Sequence, residues 1–141
     1  MNRNKLVKNL SIAKNFVSKQ NFVPIYKNIY FDGQYIKAFN GMMGISIPYA
    51  TNLNLGVSGQ ELFDVLNSFN TDEVDVDEKQ TALNIKSNKS NIKLSTVGID
   101  HKPDFELEGK GTELYLDKEF IIALKEVLRT ASNNDDALSQ K

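Results

Sequence analysis

Between Lys8 and Ser18, Leu10, Ala13, Phe16 and Val17 recur at three- and four-residue spacings, while Lys8, Lys14 and Asn15 lie off that stripe. The spacing predicts an amphipathic helix over Lys8 to Ser18. After a polar break at Lys19 to Asn21 the pattern turns β-rich. Val23, Ile25, Tyr26, Ile29, Tyr30 and Phe31 lead into the turn signal Asp32-Gly33, and Tyr35 to Phe39 follow with Ile36 and Ala38 on one face. That is the pattern of a hairpin. Gly41 and Gly44 bracket Met42 and Met43, and Ile45-Ser46-Ile47 predicts a third strand, which Pro48 stops.

The pattern then starts again. Leu53, Leu55 and Val57 alternate as a strand, and Ser58 three residues before Glu61 is a capping box opening a helix to about Phe69, with Leu62, Phe63, Leu66 and Phe69 as its stripe. Three strands are predicted after it, around Val74 and Val76, Leu83 and Ile85, and Ile92 to Thr96. A third start occurs at Leu114 and Leu116, a short strand, with Asp117 as N-cap of a helix to about Thr130; the polar tail Ala131 to Lys141 is expected to be mobile. A strand-helix-three-strand unit therefore recurs. Two one-striped helices bury their stripes most economically side by side against sheets with apolar inner faces, so the expected fold class is α+β in two layers.

Composition narrows the chemistry. The chain has 141 residues, 40% apolar and 25% charged, the profile of a folded globular domain. It has no cysteine and one histidine, His101. Disulfides, thiolate metal sites and cysteine nucleophiles are excluded, and histidine-based metal cages and triads are under-supplied. No phosphate-binding loop or zinc spacing occurs. Asp75 and Asp77 alternate with valines and read as the wet face of a strand, not as an acid/base couple. No enzymatic activity, metal or cofactor is expected. No apolar run is long enough to span a bilayer, so no membrane partner is expected, and without a secretory signal pattern a cytoplasmic protein is the simplest expectation.

The formal net charge of −1 conceals segregation. Residues 1 to 37 hold Arg3, Lys5, Lys8, Lys14, Lys19, Lys27 and Lys37 against Asp32 alone. Residues 58 to 79 are acidic, with Lys79 as the single cation, and residues 86 to 102 return to positive with Lys86, Lys89, Lys93 and Lys102. Each cluster reads either as ordinary solvated surface or as one side of an interface.

In order and spacing these segments resemble the first domain of the bacterial DNA polymerase III β subunit, the sliding clamp. Val23-Pro24-Ile25 followed by Asn28 and the Phe31-Asp32-Gly33 turn, Gly44-Ile45-Ser46-Ile47, Val57 with Glu61-Leu62-Phe63-Asp64-Val65-Leu66, and Ile85-Lys86-Ser87 to Lys89-Ser90 with Leu94-Ser95-Thr96 carry the likeness. It covers residues 1 to 108, and Leu114 to Arg129 resembles the opening of the family's second domain. The resemblance implies a DNA clamp fold: a duplicated strand-helix-three-strand unit with two adjacent helices packed on antiparallel sheets. The expected domains are 1–110, a first clamp-like domain, and 111–141, the start of a second.

By the same resemblance the function is that of a processivity factor, a clamp subunit or its N-terminal part, holding duplex DNA inside a ring through backbone contacts without sequence specificity. Lys8, Lys14, Lys19 and Gln20 are the implied DNA-facing residues, with Arg3 and Lys5 behind them. Gln20 stands nearest the place where the family usually has a cation, and the second helix, with Glu61 and Asp64, has none. Lys86, Lys89, Ile92 and Leu94 resemble the seam to another clamp domain or subunit, although Asn91 stands where an arginine is frequent; an edge hairpin kept soluble by lysines explains the same residues. DNA polymerase and clamp loader are implied as partners only through a longer product, since the family's peptide pocket lies in later domains. The chain is expected to be a fragment, or else to assemble from copies. The alternative is a clamp-like interaction protein, a regulator or decoy that binds a clamp or replisome subunit and no DNA.

Overall fold

The computed structural model describes residues 1–20, 23–104 and 116–139, the side chains of 132–139 excepted. The chain forms two compact units, Met1–Glu106 and Leu107–Lys141.

In the first unit α1 spans Arg3–Ala13 and runs into a 3-10 turn at Lys14–Phe16. It starts five residues earlier than the sequence pattern indicates. The Asn2 side chain caps it by accepting from the Lys5 N–H at 2.8 Å, and Leu6 joins Leu10 and Ala13 on the buried stripe. A 3-10 turn at Pro24–Lys27 replaces the extended chain expected there, since proline favours a helical first turn. The strands are β1 (Asn28–Asp32), β2 (Tyr35–Phe39), β3 (Gly44–Pro48), β4 (Asn54–Ser58), β5 (Asp75–Lys79), β6 (Ala82–Ser87) and β7 (Ser90–Gly98), and α2 (Gly59–Ser68) follows β4.

The strands make one antiparallel sheet in the order β3-β2-β1-β4-β7-β6-β5. The Asp32-Gly33 turn closes β1 on β2 as expected: Asp32 Oδ1 accepts from the N–H groups of Gln34 and Tyr35, and Gly33 takes φ 87°. Ser58 Oγ accepts from the Glu61 N–H at the start of α2.

The two halves exchange equivalent strands. β4, which precedes α2, pairs with β1, which follows α1. Reciprocally Asn2, which precedes α1, bridges Glu73 just after α2, with Val74 N–H donating to Met1 O at 3.0 Å and Arg3 N–H to Asp72 O at 2.9 Å. Such mutual exchange is what a twofold relation between duplicated units requires.

One core lies between sheet and helices: Leu6, Leu10 and Ala13 from α1, Leu62 and Leu66 from α2, and Ile29, Phe31, Ile36, Leu55, Val57, Leu83 and Ile85 from the strands. Tyr30 is buried on the opposite sheet face, and its hydroxyl donates to Ile25 O at 3.0 Å and lies 3.3 Å from His101 O. Gly56 pairs with Tyr30 across β4 and β1, and its missing side chain makes room for the ring.

In the second unit α3 spans Lys118–Ser139 and starts at Asp117, whose Oδ1 accepts from the Phe120 N–H at 2.8 Å. The helix therefore continues through most of the tail expected to be mobile; no glycine or proline interrupts residues 131–139. Leu114 of the expected short strand, and the 110/111 boundary, lie outside the described residues.

Candidate nucleic-acid interface and sheet edges

The α1 and α2 helices lie side by side and antiparallel. The first turn of α1 meets the last turn of α2, where Arg3 Nε donates to Leu66 O at 2.8 Å and Nη2 to Asn67 O at 3.3 Å, and Asn4 Nδ2 donates to Asp72 Oδ1 at 3.0 Å. Arg3 thereby bonds two carbonyls at the end of α2, one of which, Leu66 O, also accepts from the Phe69 N–H at 3.4 Å, and sets a cation at the negative end of its dipole. Sequence reasoning did not find this role, because the carbonyls come from residues more than sixty positions away. At the other end Lys14 Nζ sits 3.9 Å from the centre of the Phe63 ring, a cation–π contact between the helices.

The outer surface of this pair is mostly polar, with Ile12 exposed one turn after Lys8. Lys8 is exposed on the side of α1 away from Leu6, Leu10 and Ala13; Gln60, Glu61, Asp64 and Asn67 are exposed on α2, where Gln60 Nε2 donates to Asp64 Oδ1 at 2.8 Å. Lys14 is half-buried against α2, and Lys5 lies 5.7 Å from the Tyr49 ring. Lys19 and Gln20 are exposed in the loop after Phe16, where the Gln20 N–H donates to Ser18 Oγ at 3.2 Å. The four residues thus sit along one continuous stretch, with Lys8, Lys19 and Gln20 open to solvent and Lys14 turned to the neighbouring helix.

At the other candidate site β6 and β7 turn tightly through Asn88 and Lys89, Ser87 facing Ser90. Lys86 and Lys89 are exposed, Ile92 is half-buried, and Leu94 is 8% exposed and belongs to the core. The structure therefore gives the two lysines to the surface and commits the two apolar residues to the helix-facing side. β7 pairs with β6 from Ser90 to Ser95 and with β4 only from Thr96 to Gly98, so its earlier part has a strand on one side only among the described residues. Alternation directs the backbone groups of Asn91 and Lys93 to that open edge. Lys93, exposed there, is a cation that the sequence reading counted as charge but did not place at a site.

His101 is exposed in a 3-10 turn, 3.9 Å from Asp100. No group of His, Cys, Asp and Glu among the described residues could hold a metal ion, and no described helix is long and apolar enough to cross a membrane.

The family model described as DNA polymerase III beta subunit, N-terminal domain, matches residues 1–106. The chain belongs to this family. Among solved structures it is similar to a sliding clamp, DNA polymerase III subunit beta, of Pseudomonas aeruginosa bound to griselimycin (TM-score 0.69, 21% identity, 80% of this chain and 33% of that one). It is similar also to the DNA polymerase beta subunit of Streptococcus pyogenes (TM-score 0.69, 20% identity, 82% and 34%) and to a Helicobacter pylori beta clamp bound to a DNA ligase peptide (TM-score 0.65, 21% identity, 76% and 32%). The chain spans about a third of the length of these clamps. At such identities the likeness is one of fold, and the clamp fold expected from the sequence is the fold found. No curated protein matches the chain by sequence.

Proposed function

We propose that this chain is a clamp domain of a replication processivity factor, without catalytic activity, which helps hold duplex DNA through contacts to the phosphate backbone. The observation that carries the reading is the helix layer. One helix from each half contributes to a single polar surface, and α1 places Lys8 at its most outward position, with Lys19 and Gln20 in the loop beyond. Exposed lysines on flexible stems neutralise phosphates without reading bases, so a duplex held this way is free to slide. The single domain cannot encircle a duplex; closure is assigned to other clamp domains or subunits, joined at the open edge of β7 beside Lys86, Lys89 and Ile92. Residues 1–110 are read as the first domain and 111–141 as the start of a second. Polymerase and clamp loader are partners only of a longer product.

The test is binding of a labelled 30-base-pair duplex by fluorescence anisotropy across a salt series. Weak binding without sequence preference is expected, with the Lys8→Ala, Lys19→Ala double variant losing about one to two units of the log–log salt slope. An unchanged slope refutes the assignment of these lysines.

The acidic surface of α2 favours a second reading, in which the chain binds another clamp subunit and no DNA. In that case no anisotropy change occurs at any salt, and a pull-down of a full-length clamp is abolished by Lys89→Glu.

A further inference from the structure

The relation between the two halves exposes a strand position. Ahead of α2, the five residues of β4 pair with β1 along its whole length. Ahead of α1, the described residues Met1 and Asn2 make the equivalent pairing at a single bridge, Asn2 opposite Glu73. Past that bridge β5 runs from Asp75 to Lys79 with β6 as its one partner among the described strands. Among the described residues the corresponding flank of β1 is paired with β4, and this flank of β5 is paired with no strand.

The existing contacts fix how a further strand would dock. Val74 N–H donates to Met1 O, and the Met1 ammonium donates to Val74 O at 2.8 Å, so even-numbered residues turn their backbone groups to this side. Val76 and Glu78 therefore direct their N–H and C=O groups to this edge, where no described strand pairs with them; the Glu78 side chain accepts from the Asn54 N–H at 3.2 Å. Side chains set the chemistry. Asp75 and Asp77 are exposed on one face, and Glu73 is 68% exposed beside them. Among the described residues the cations near this rim are the Met1 ammonium, 3.3 Å from Glu73, Lys79, 3.8 Å from Asp77, and Lys86, across from Asp75 on β6. On the other face Val76 is half-buried at the margin of the core.

We propose that this edge accepts an extended segment of another polypeptide, antiparallel to β5 and in line with Met1, with basic residues opposite Asp75 and Asp77 and an apolar residue opposite Val76. Main-chain bonds to Val76 and Glu78 supply the docking, and the alternating basic and apolar side chains supply the selectivity. The incoming apolar side chain extends the core beside Val76, and the incoming cations face carboxylates across the strand pair. The assignment stands apart from DNA binding, which involves the helix surface.

The test uses the whole chain and two labelled eight-residue peptides with blocked termini, one alternating lysine and valine and the other alternating glutamate and valine. Anisotropy titration at low salt is expected to show the lysine peptide binding at least about tenfold more tightly, as two opposite-charge pairs against two like-charge pairs would give. Hydrogen exchange with the lysine peptide bound is expected to slow at the amides of Val76 and Glu78. The Asp75→Lys, Asp77→Lys double variant, altered only at exposed positions, is expected to reverse the preference. Equal affinity for the two peptides, no binding of either, or protection at β3 or at Ser90–Ser95 instead of β5 would overturn the proposal.

Discussion

Asp32 does three things at once: its carboxylate accepts two backbone N–H groups of the β1–β2 turn and pairs with Lys37 Nζ at 2.8 Å. Partial burial pushes its pKa up, but the Lys37 bond and the two N–H donors together outweigh that and hold it below the usual carboxylate value. A folded-state pKa below the unfolded one means that the ionised group stabilises the fold at neutral pH. That contribution fades as the pH falls through the carboxylate range and is lost below the folded-state value. Asp32→Asn is therefore expected to cost about 1–2 kcal/mol at pH 7. The gap from the parent protein should narrow as the pH falls below the ordinary carboxylate value of about 4 in urea denaturation, whereas a constant gap would assign the effect to shape alone. At Gly56 the constraint is steric. An added Cβ would lie 2.5 Å from Tyr30 Cε1 and 2.8 Å from Val97 Cγ2, so Gly56→Ala is expected to destabilise by about 1–3 kcal/mol, read by thermal unfolding. Asp32 shows in the sequence as half of a turn signal. What Gly56 faces does not, because Tyr30 reaches it only through strand pairing.

At the scale of elements, α2 begins where its Ser58 and Glu61 signal places it, whereas α1 begins five residues earlier than its stripe suggested. The difference has a cause. Leu6 belongs to the stripe, but Arg3, Asn4 and Lys5 around it read as a solvated polar run until α2 is seen to supply carbonyls for Arg3 and Asp72 to receive Asn4. The helix pair is held from the inside by Leu10 and Leu66, each fully buried. Leu66→Ala is expected to cost about 2–5 kcal/mol by chemical denaturation, since the close-packed layer relaxes only partly around a void. Lys8→Ala, outward on α1, should leave stability within about 0.5 kcal/mol. That contrast separates the surface proposed to bind DNA from the surface that folds.

For the whole molecule, the core closes within Met1–Glu106, and the family match covers the same residues. A fragment of residues 1–106 is therefore expected to unfold in one cooperative transition, with a midpoint within about 4 °C of the full chain, a shift worth roughly 1 kcal/mol at this size. A larger drop would show that the first unit needs the second for its stability. Charge is also organised at this scale. Lys8 and Lys19 bring positive charge to α1 and the loop after it, while α2 and the β5 edge carry negative charge, a separation that the net value of −1 does not reveal.

Most element types, the duplication and the turn at Asp32-Gly33 were legible in the sequence, the 3-10 turn at Pro24–Lys27 and the length of α3 excepted, because periodicity, caps and turn chemistry act between residues a few positions apart. It also marked most of the charged residues of both candidate sites. Which of them are available was left to the folded arrangement. Lys14 is drawn onto Phe63, Arg3 is bound to the end of α2, Leu94 faces the core, and Lys93 stands on an open edge. These outcomes depend on strand order and helix contact, which join residues far apart in the chain. Local pattern carries no record of which distant carbonyl, ring or strand edge a side chain will meet.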